Sequence, residues 1–382
     1  MDFEFSEEQK MFREAIRRFA RNELAPLVDD AEKNERYPVQ LFPRMGELGY
    51  VCICHPAEYG GAGMSKVDEC IEWEELSQVS SAIAGGLMVQ SGIATCALLD
   101  HGSEAMKKKY LPPTIKGEKI ISFGLTEANA GSDVVAMETT ARKDGNKYII
   151  NGSKIYITNG TICDFVTLAA YTDKSKGHRG ISLFLMEKDT PGFTCSKMHK
   201  FCIRSSDTAE FAFDNCAVPE ENLIGEEGRG FYYLMESLDA GRITHASSRV
   251  GAAQATFEVA LDYAQQRVQF GRPIATFQTN AFKLARMALE IEAARWMTYH
   301  AAWLYDQRKP CIKEASMAKL FASEVYQHIA IEAMHIHGGA AVLEDSAIHR
   351  HYRDSYISRI TEGTSEIQEL VIARQIGIRD IK

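Results

Sequence analysis

Residues 144–160 read DGNKYIINGSKIYITNG, and the reading of this stretch decides how the chain is divided. Asp144-Gly145 and Asn151-Gly152 are both hairpin-turn pairs, and KYII between them has the β-branched and aromatic character of a strand. Read as a hairpin followed by the strand SKIYIT, it belongs to a run of short strands between about 120 and 225: DFVTLAAYT, GISLFLME and AEFAFDN follow. Strands and turns at this spacing predict a small sandwich or barrel rather than a parallel sheet.

On both sides the period becomes helical. Ser6 and Gln9 are spaced as a capping box ahead of Phe12, Ile16 and Phe19. Loop signals interrupt the N-terminal region at Tyr37-Pro38 and Tyr59-Gly60-Gly61. From about residue 228 long helices return. In QTNAFKLARMALEIEAARWMTYHAAWLY the buried face is expected at Leu284, Ala288, Ile291 and Ala294, with apolar residues on further faces, as in a bundle. The expected fold is mostly α with a central β domain. It has an N-terminal helical domain (1–118), a middle β-barrel or sandwich domain (119–227) and a C-terminal four-helix bundle (228–382), with a cleft where they meet.

A chain of 382 residues exceeds one ordinary core, and 45% hydrophobic with 25% charged residues is globular composition. A net charge of −9 argues against nucleic acid as a partner. The charged, amphipathic start MDFEFSEEQKMFREAIRRF is unlike a signal peptide, and no apolar run reads as a membrane span, so a cytoplasmic protein is expected. Nine cysteines without a framework fit a reducing compartment. Cys52/Cys54, His335/His337 and His349/His351 lack chelating spacing, so no metal is expected.

GGAGMSK (60–66) lacks the G-x-G-x-x-G dinucleotide spacing, and no G-x-S-x-G elbow appears. Four other stretches carry polar groups suited to chemistry. GLTEANAGSD (124–133) sets Thr126 and Ser132 among small residues, as a planar ligand or an ordinary Ser/Asx turn would want. In NGSKIYITNG (151–160) Tyr156 and Thr158 share a strand face, as a stacking ring beside a hydroxyl or as a plain cross-strand pair. In QRVQFGRPIATFQ (266–278) Arg267 and Arg272 bracket Phe270-Gly271, as a pyrophosphate grip or as solvated charges. In RITEGTSEIQELVIAR (359–374) Glu362 precedes a helix start marked by Thr364 and Ser365. It reads as a loop acid or as a general base.

Together these stretches resemble the acyl-CoA dehydrogenase family over essentially the whole chain. LDAGRI (238–243), HIHGGAA (335–341), HRHYRD (349–354) and TEGTSEIQ (361–368) add to the ordered set of motifs. The resemblance implies FAD between the middle and C-terminal domains, completed by a neighbouring subunit of a homotetramer, a dimer of dimers. It implies α,β-dehydrogenation of an acyl-CoA to a 2,3-enoyl-CoA, with electrons passed to electron-transferring flavoprotein. Glu362 matches the catalytic base, whose backbone N–H helps bind the thioester oxygen. Leu125, Thr126 and Thr158 match residues beside the flavin ring, and Tyr156 stands where a Trp is usual. Ser132 matches a contact shared by flavin phosphate and pantetheine. Arg267, Phe270 and Gln278 match residues reaching a neighbour's FAD, and His335, Gly338 and Gly339 fall in the glycine-rich cofactor loop, where His335 and Ala341 replace Gln and Gly. Thr364 and Glu366 match cofactor-lining positions. Asp239 and Arg242 match the CoA-side helix, and Thr361 and Gly363 flank the base in the acyl pocket. Some members hold the base at the position of Gly241, which here offers no rival. Thr361 replaces a common Tyr, which implies a pocket reshaped for bulky, cyclic or short-to-medium acyl groups. Ala84 stands where the glutaryl-specific, decarboxylating branch has an Arg, which disfavours that activity. The rival functions are an enoyl-CoA reductase running the chemistry in reverse, an oxidase using O₂, and a catalytically idle flavoprotein component.

Overall fold

A computed structural model describes residues 4–344 and 346–379; the outermost residues of the two expected terminal domains lie outside that range. The N-terminal region forms α1 (Glu7–Phe19), α2 (Ala25–Lys33), α3 (Leu41–Leu48), α4 (Lys66–Ser91), α5 (Ile93–His101) and α6 (Glu104–Ile115). The expected capping box is present: Ser6 Oγ accepts from Gln9 N–H (3.2 Å) and Gln9 Oε1 from Ser6 N–H (3.1 Å). Ser65 and Asp68 repeat the device at the start of α4. Helix α4 is buried on most sides and kinks at Ser80 (φ −156°, ψ 108°). The stretch 66–101 is long and apolar enough to cross a bilayer, contrary to the expectation from sequence, yet 72% of its most apolar window is buried within the fold. It is the core helix of the N-terminal region.

The middle of the chain is one eight-stranded sheet. It contains β1 (Ile121–Gly124), β2 (Thr140–Asp144), β3 (Lys147–Thr158), β4 (Phe165–Tyr171), β5 (Ile181–Glu187), β6 (Phe193–Lys197), β7 (Thr208–Pro219) and β8 (Leu223–Ile224). The order is β6-β7-β3-β2-β4-β5-β8, with β1 parallel to β4 and most other pairs antiparallel. Asp144-Gly145 does turn the β2–β3 hairpin, with Asp144 opposite Lys147. Asn151-Gly152 does not turn. It sits inside β3 at a register shift against β7, with Gly152 at φ +142° and Thr139 so close that a Cβ would fall 2.5 Å from its Oγ1. A bulge and a tight turn both call for positive φ, so the same dipeptide serves either.

The C-terminal region has α7 (Gly230–Gln266), a two-residue-strand hairpin of β9 (Val268–Gln269) and β10 (Arg272–Pro273), α8 (Gln278–Asp306), α9 (Ile312–His337), α10 (Ala347–Ser355) and α11 (Ser365–Gln375). Helices α7, α8, α9 and α11 form the bundle, and α4 packs along α7 and α8. On α8 the buried face holds Leu284, Met287, Ile291 and Ala294, so Met287 replaces the expected Ala288, which is exposed. Phe282, Leu289 and Trp303, spaced by multiples of seven, stand exposed on the same helix. The Asp306 carboxylate accepts from the N–H groups of Lys66 (2.7 Å) and Val67 (3.1 Å), clasping the α4 N-terminus to the bundle.

Candidate active site

The loop before α11 is built around two consecutive left-handed residues, Glu362 (φ +55°) and Gly363 (φ +89°). A non-glycine residue there costs on the order of 1–3 kcal/mol and persists only where its surroundings hold it. The holders are explicit. Lys319 Nζ on α9 donates to Gly363 O (2.8 Å), and Gln368 Nε2 donates to Glu362 O (3.2 Å) and Gly363 O (3.0 Å). Thr364 Oγ1 accepts from Ile367 N–H (3.3 Å) and starts α11. With its carbonyls pinned, the loop turns the Glu362 side chain inward, where Oε2 is buried and has no hydrogen-bond partner among the described residues. Gly241 on α7 faces it so closely that a Cβ there would lie 2.7 Å from Oε2. Burial pushes the Glu362 carboxyl up to about 7, against the pull of Lys319, Arg249, Arg242 and Lys66. A carboxylate held near neutrality and away from water is poised to take a proton.

Helix α7 brings further polar groups to this face. Arg242 Nη1 donates to Asp239 Oδ1 (2.6 Å), while Arg242 Nε has no partner among the described residues. Burial is the leading influence on both, lowering the Arg242 pKa and raising that of Asp239 despite their pairing. His245, one turn beyond Gly241, lies 2.9 Å through Nε2 from Thr361 Oγ1. Thr361 donates its one hydroxyl proton to Ile357 O (3.3 Å), so the arrangement that satisfies both bonds has His245 Nε2–H donating and Nδ1 bare. Burial, with Arg249 and Lys319 nearby, keeps this imidazole neutral, its pKa well below the usual value. Arg249, another turn on, is 4% exposed. Sequence reasoning missed His245, Arg249, Lys319 and Gln368. A signal existed for two of them: imidazole and guanidinium at four-residue intervals from Gly241, in a stretch (243–253) otherwise of Ile, Thr, Ala, Ser, Val and Gly.

A second group gathers at the end of the sheet. Thr126 O accepts from Ile155 N–H (2.9 Å) and Leu125 O from Lys154 Nζ (2.9 Å), pinning the loop after β1 to β3. Lys154 also pairs with Glu127 (2.7 Å), both buried. A second register shift between Lys154 and Ile157 puts Tyr156 at φ +62° and leaves its ring 63% exposed. The strand is therefore bulged where an even pleat was expected. Thr158 closes β3, and Asn159 Nδ2 donates to Gly86 O on α4 (2.8 Å), fixing this end of the sheet to the N-terminal helices. Ser132 is exposed on the loop beyond.

A third group lies elsewhere. Arg267 ends α7, and Phe270 (φ +51°) and Gly271 (φ +78°) form the two-residue turn of the β9–β10 hairpin. Phe270 is 95% exposed, and the Arg272 guanidinium lies over the Phe277 ring (4.2 Å) just before Gln278. His337 stacks on Tyr263 (4.3 Å), so His335, Gly338 and Gly339 at the end of α9 sit beside the same end of α7. Arg267 follows Gly241 by 26 residues, roughly 39 Å along a helix. Within one chain the base and this third group do not meet.

The acyl-CoA dehydrogenase N-terminal, middle and C-terminal domain models match residues 6–118, 122–216 and 228–377. An acyl-CoA dehydrogenase of Bacillus subtilis (strain 168) is 45% identical over 97% of this chain and 98% of its own. A chain of the solved structure described as electron transferring flavoprotein of Acidaminococcus fermentans, towards a mechanism of flavin-based electron bifurcation, superposes with a TM-score of 0.97 at 41% identity, covering 100% of both chains. Butyryl-CoA dehydrogenase from Megasphaera elsdenii superposes with a TM-score of 0.95 at 39% identity, covering 98% of this chain and 100% of its own. The helical, β and helical regions are those of this fold, and the chain belongs to the acyl-CoA dehydrogenase family of FAD-dependent oxidoreductases acting on CH–CH groups.

Proposed function

We propose that Glu362 is the base that removes the α-proton of an acyl-CoA thioester as a 2,3-enoyl-CoA forms. The observation that carries this is a buried, unpaired carboxylate oxygen held by a strained loop against a helix position that has no side chain. The carboxylate accepts the proton from Cα and holds it at Oε2. Among the described backbone hydrogen bonds none uses the Glu362 N–H, which leaves it to bind the thioester oxygen where charge develops. Arg242, Asp239 and Ser132 serve the CoA side, and Thr361 and Gly363 border the reacting carbons.

The residues fit FAD. Leu125, Thr126, Tyr156 and Thr158 give an exposed ring with hydroxyls and an apolar edge, and Thr364 and Glu366 open α11 beside the base. Gly131 and Gly339 neither adopt positive φ nor, among the described residues, have an atom within 4 Å of a built Cβ, which leaves room for close approach of a bound group. Bound there, FAD supplies the acceptor for the hydride leaving Cβ. Arg267, Phe270, Gln278, His335, Gly338 and Gly339 would complete the site of another copy, a reading that the separation along α7 supports. The exposed Phe282, Leu289 and Trp303 of α8 offer the apolar face for such a homotetramer. The acyl group is short to medium, with room near Cα and Cβ for branches or rings, and electrons pass to electron-transferring flavoprotein. A panel of linear, branched and cyclic acyl-CoAs, scored anaerobically by flavin bleaching, tests the reading. At least one short acyl-CoA should bleach the flavin, and bleaching by none would end it.

A further inference from the structure

Gly241, His245 and Arg249 stand one turn apart on the face of α7 that looks at Glu362, and this face carries more polar hydrogen-bonding capacity than the dehydrogenation uses. Arg249 is 4% exposed, and its Nε and Nη1 have no hydrogen-bond partner among the described residues. A buried guanidinium with two nitrogens unpartnered is among the costlier arrangements a core can hold. Its electrostatic neighbours, Glu362 among them, do not bond to it: Glu362 Oε2 has no hydrogen-bond partner among the described residues, Asp354 Oδ1 accepts from Ile203 N–H (2.5 Å), and the Tyr326 hydroxyl donates to His351 O (3.1 Å). Arg249 follows Gly241 by eight residues, roughly 12 Å of helix, and side chains on a helix lean back toward its N-terminus. The guanidinium thus leans toward the level of the base, and each of the two charges acts on the other.

We propose that Arg249 holds a carboxylate at the far end of the acyl group, so that the substrate class is a short dicarboxylyl-CoA. The proposal rests on Glu362 being the base. Ala84, buried on α4, supplies no cation, and α7 supplies one from across the cleft. Bidentate pairing with a guanidinium is the strongest use a terminal carboxylate could find there. His245, neutral and hydrogen-bonded to Thr361, lies between Arg249 and Gly241 on the same face without adding charge. The distal carboxylate takes no part in bond changes: one proton leaves Cα for Glu362 and one hydride leaves Cβ for FAD.

The test uses the purified holoenzyme and matched pairs, succinyl-, glutaryl- and adipyl-CoA against their terminal methyl esters, in anaerobic stopped-flow flavin reduction. One diacid should exceed its ester at least about tenfold in kcat/KM, and Arg249→Met should lower that ratio at least about tenfold, with Arg249→Lys restoring part of it. Esters preferred by the parent protein, or both members of a pair slowed equally by Arg249→Met, would overturn the proposal and make Arg249 a structural counter-charge. If Arg249→Met does not fold, the parent's preference decides alone. Affinity for 3-thiaglutaryl-CoA and its methyl ester, measured on the Glu362→Gln protein by flavin absorbance, separates the two readings. Tighter diacid binding supports the carboxylate site even where turnover refutes the base, and equal binding refutes the site.

Discussion

The two ends of α7 solve different problems. Near Gly241 the helix is buried and charged, and every group there acts within one chain: the base, the carbonyls pinned by Lys319 and Gln368, and the His245–Thr361 contact. At Arg267 the chain is exposed, and Phe270 stands in solvent on a turn of two left-handed residues. A buried end defines chemistry, because desolvation shifts a carboxyl toward neutrality. An exposed end suits the assembly proposed above, because Phe270, 95% exposed, is left largely uncovered by its own chain.

The largest expected effect tests the buried end. Glu362→Gln should keep FAD and oligomer yet slow flavin reduction at least about a hundredfold, the scale of a lost general base. The parent rate should climb about tenfold per pH unit up to about 7 and then level off, since the protonated carboxyl cannot accept a proton. A limb near the ordinary carboxylate range would show that burial does not tune this group. The opposite end is sharpened by Arg267→Ala, which should weaken FAD retention and oligomer stability together while the rate per bound flavin stays close to the parent's. A monomer that retained all its FAD would erase the distinction between the ends. The smallest effect belongs to Thr361→Tyr, which removes the His245 contact and refills the space beside Cα and Cβ. It should disfavour branched or cyclic acyl groups against straight ones by about 1–3 kcal/mol in kcat/KM terms. An unchanged ranking in the acyl-CoA panel would show that His245 and its neighbours already fill that space.

The sequence announces what repeats locally. The helical periods and the Asp144-Gly145 hairpin are visible because turn chemistry and burial are written every few residues. TEGTSEIQ exposes Glu362 because a cap and a glycine mark a loop of fixed shape. Asn151-Gly152 misleads because a bulge asks for the same backbone freedom as a turn. The place of Ala288 is misjudged because α8 is apolar on two faces and only one of them is buried. Lys319 and Gln368 stay hidden for a different reason. Periodicity tells which positions turn inward, but not which inward polar atoms find a partner: Lys319 bonds a carbonyl 44 positions away, and Gln368 bonds back across a left-handed loop.

The loop at Glu362 has one more consequence. Its residue is held in a backbone conformation that glycine adopts freely, and its carboxyl is protonated more readily in the fold than in an open chain. As pH rises from the ordinary carboxylate range to about 7, the folded state loses stability, because the unfolded chain ionises there at no desolvation cost. Glu362→Gly removes both the unfavourable φ and the buried charge, and should melt a few degrees above the parent in a neutral-pH thermal scan. At this one position, thermal endurance and turnover pull the sequence in opposite directions.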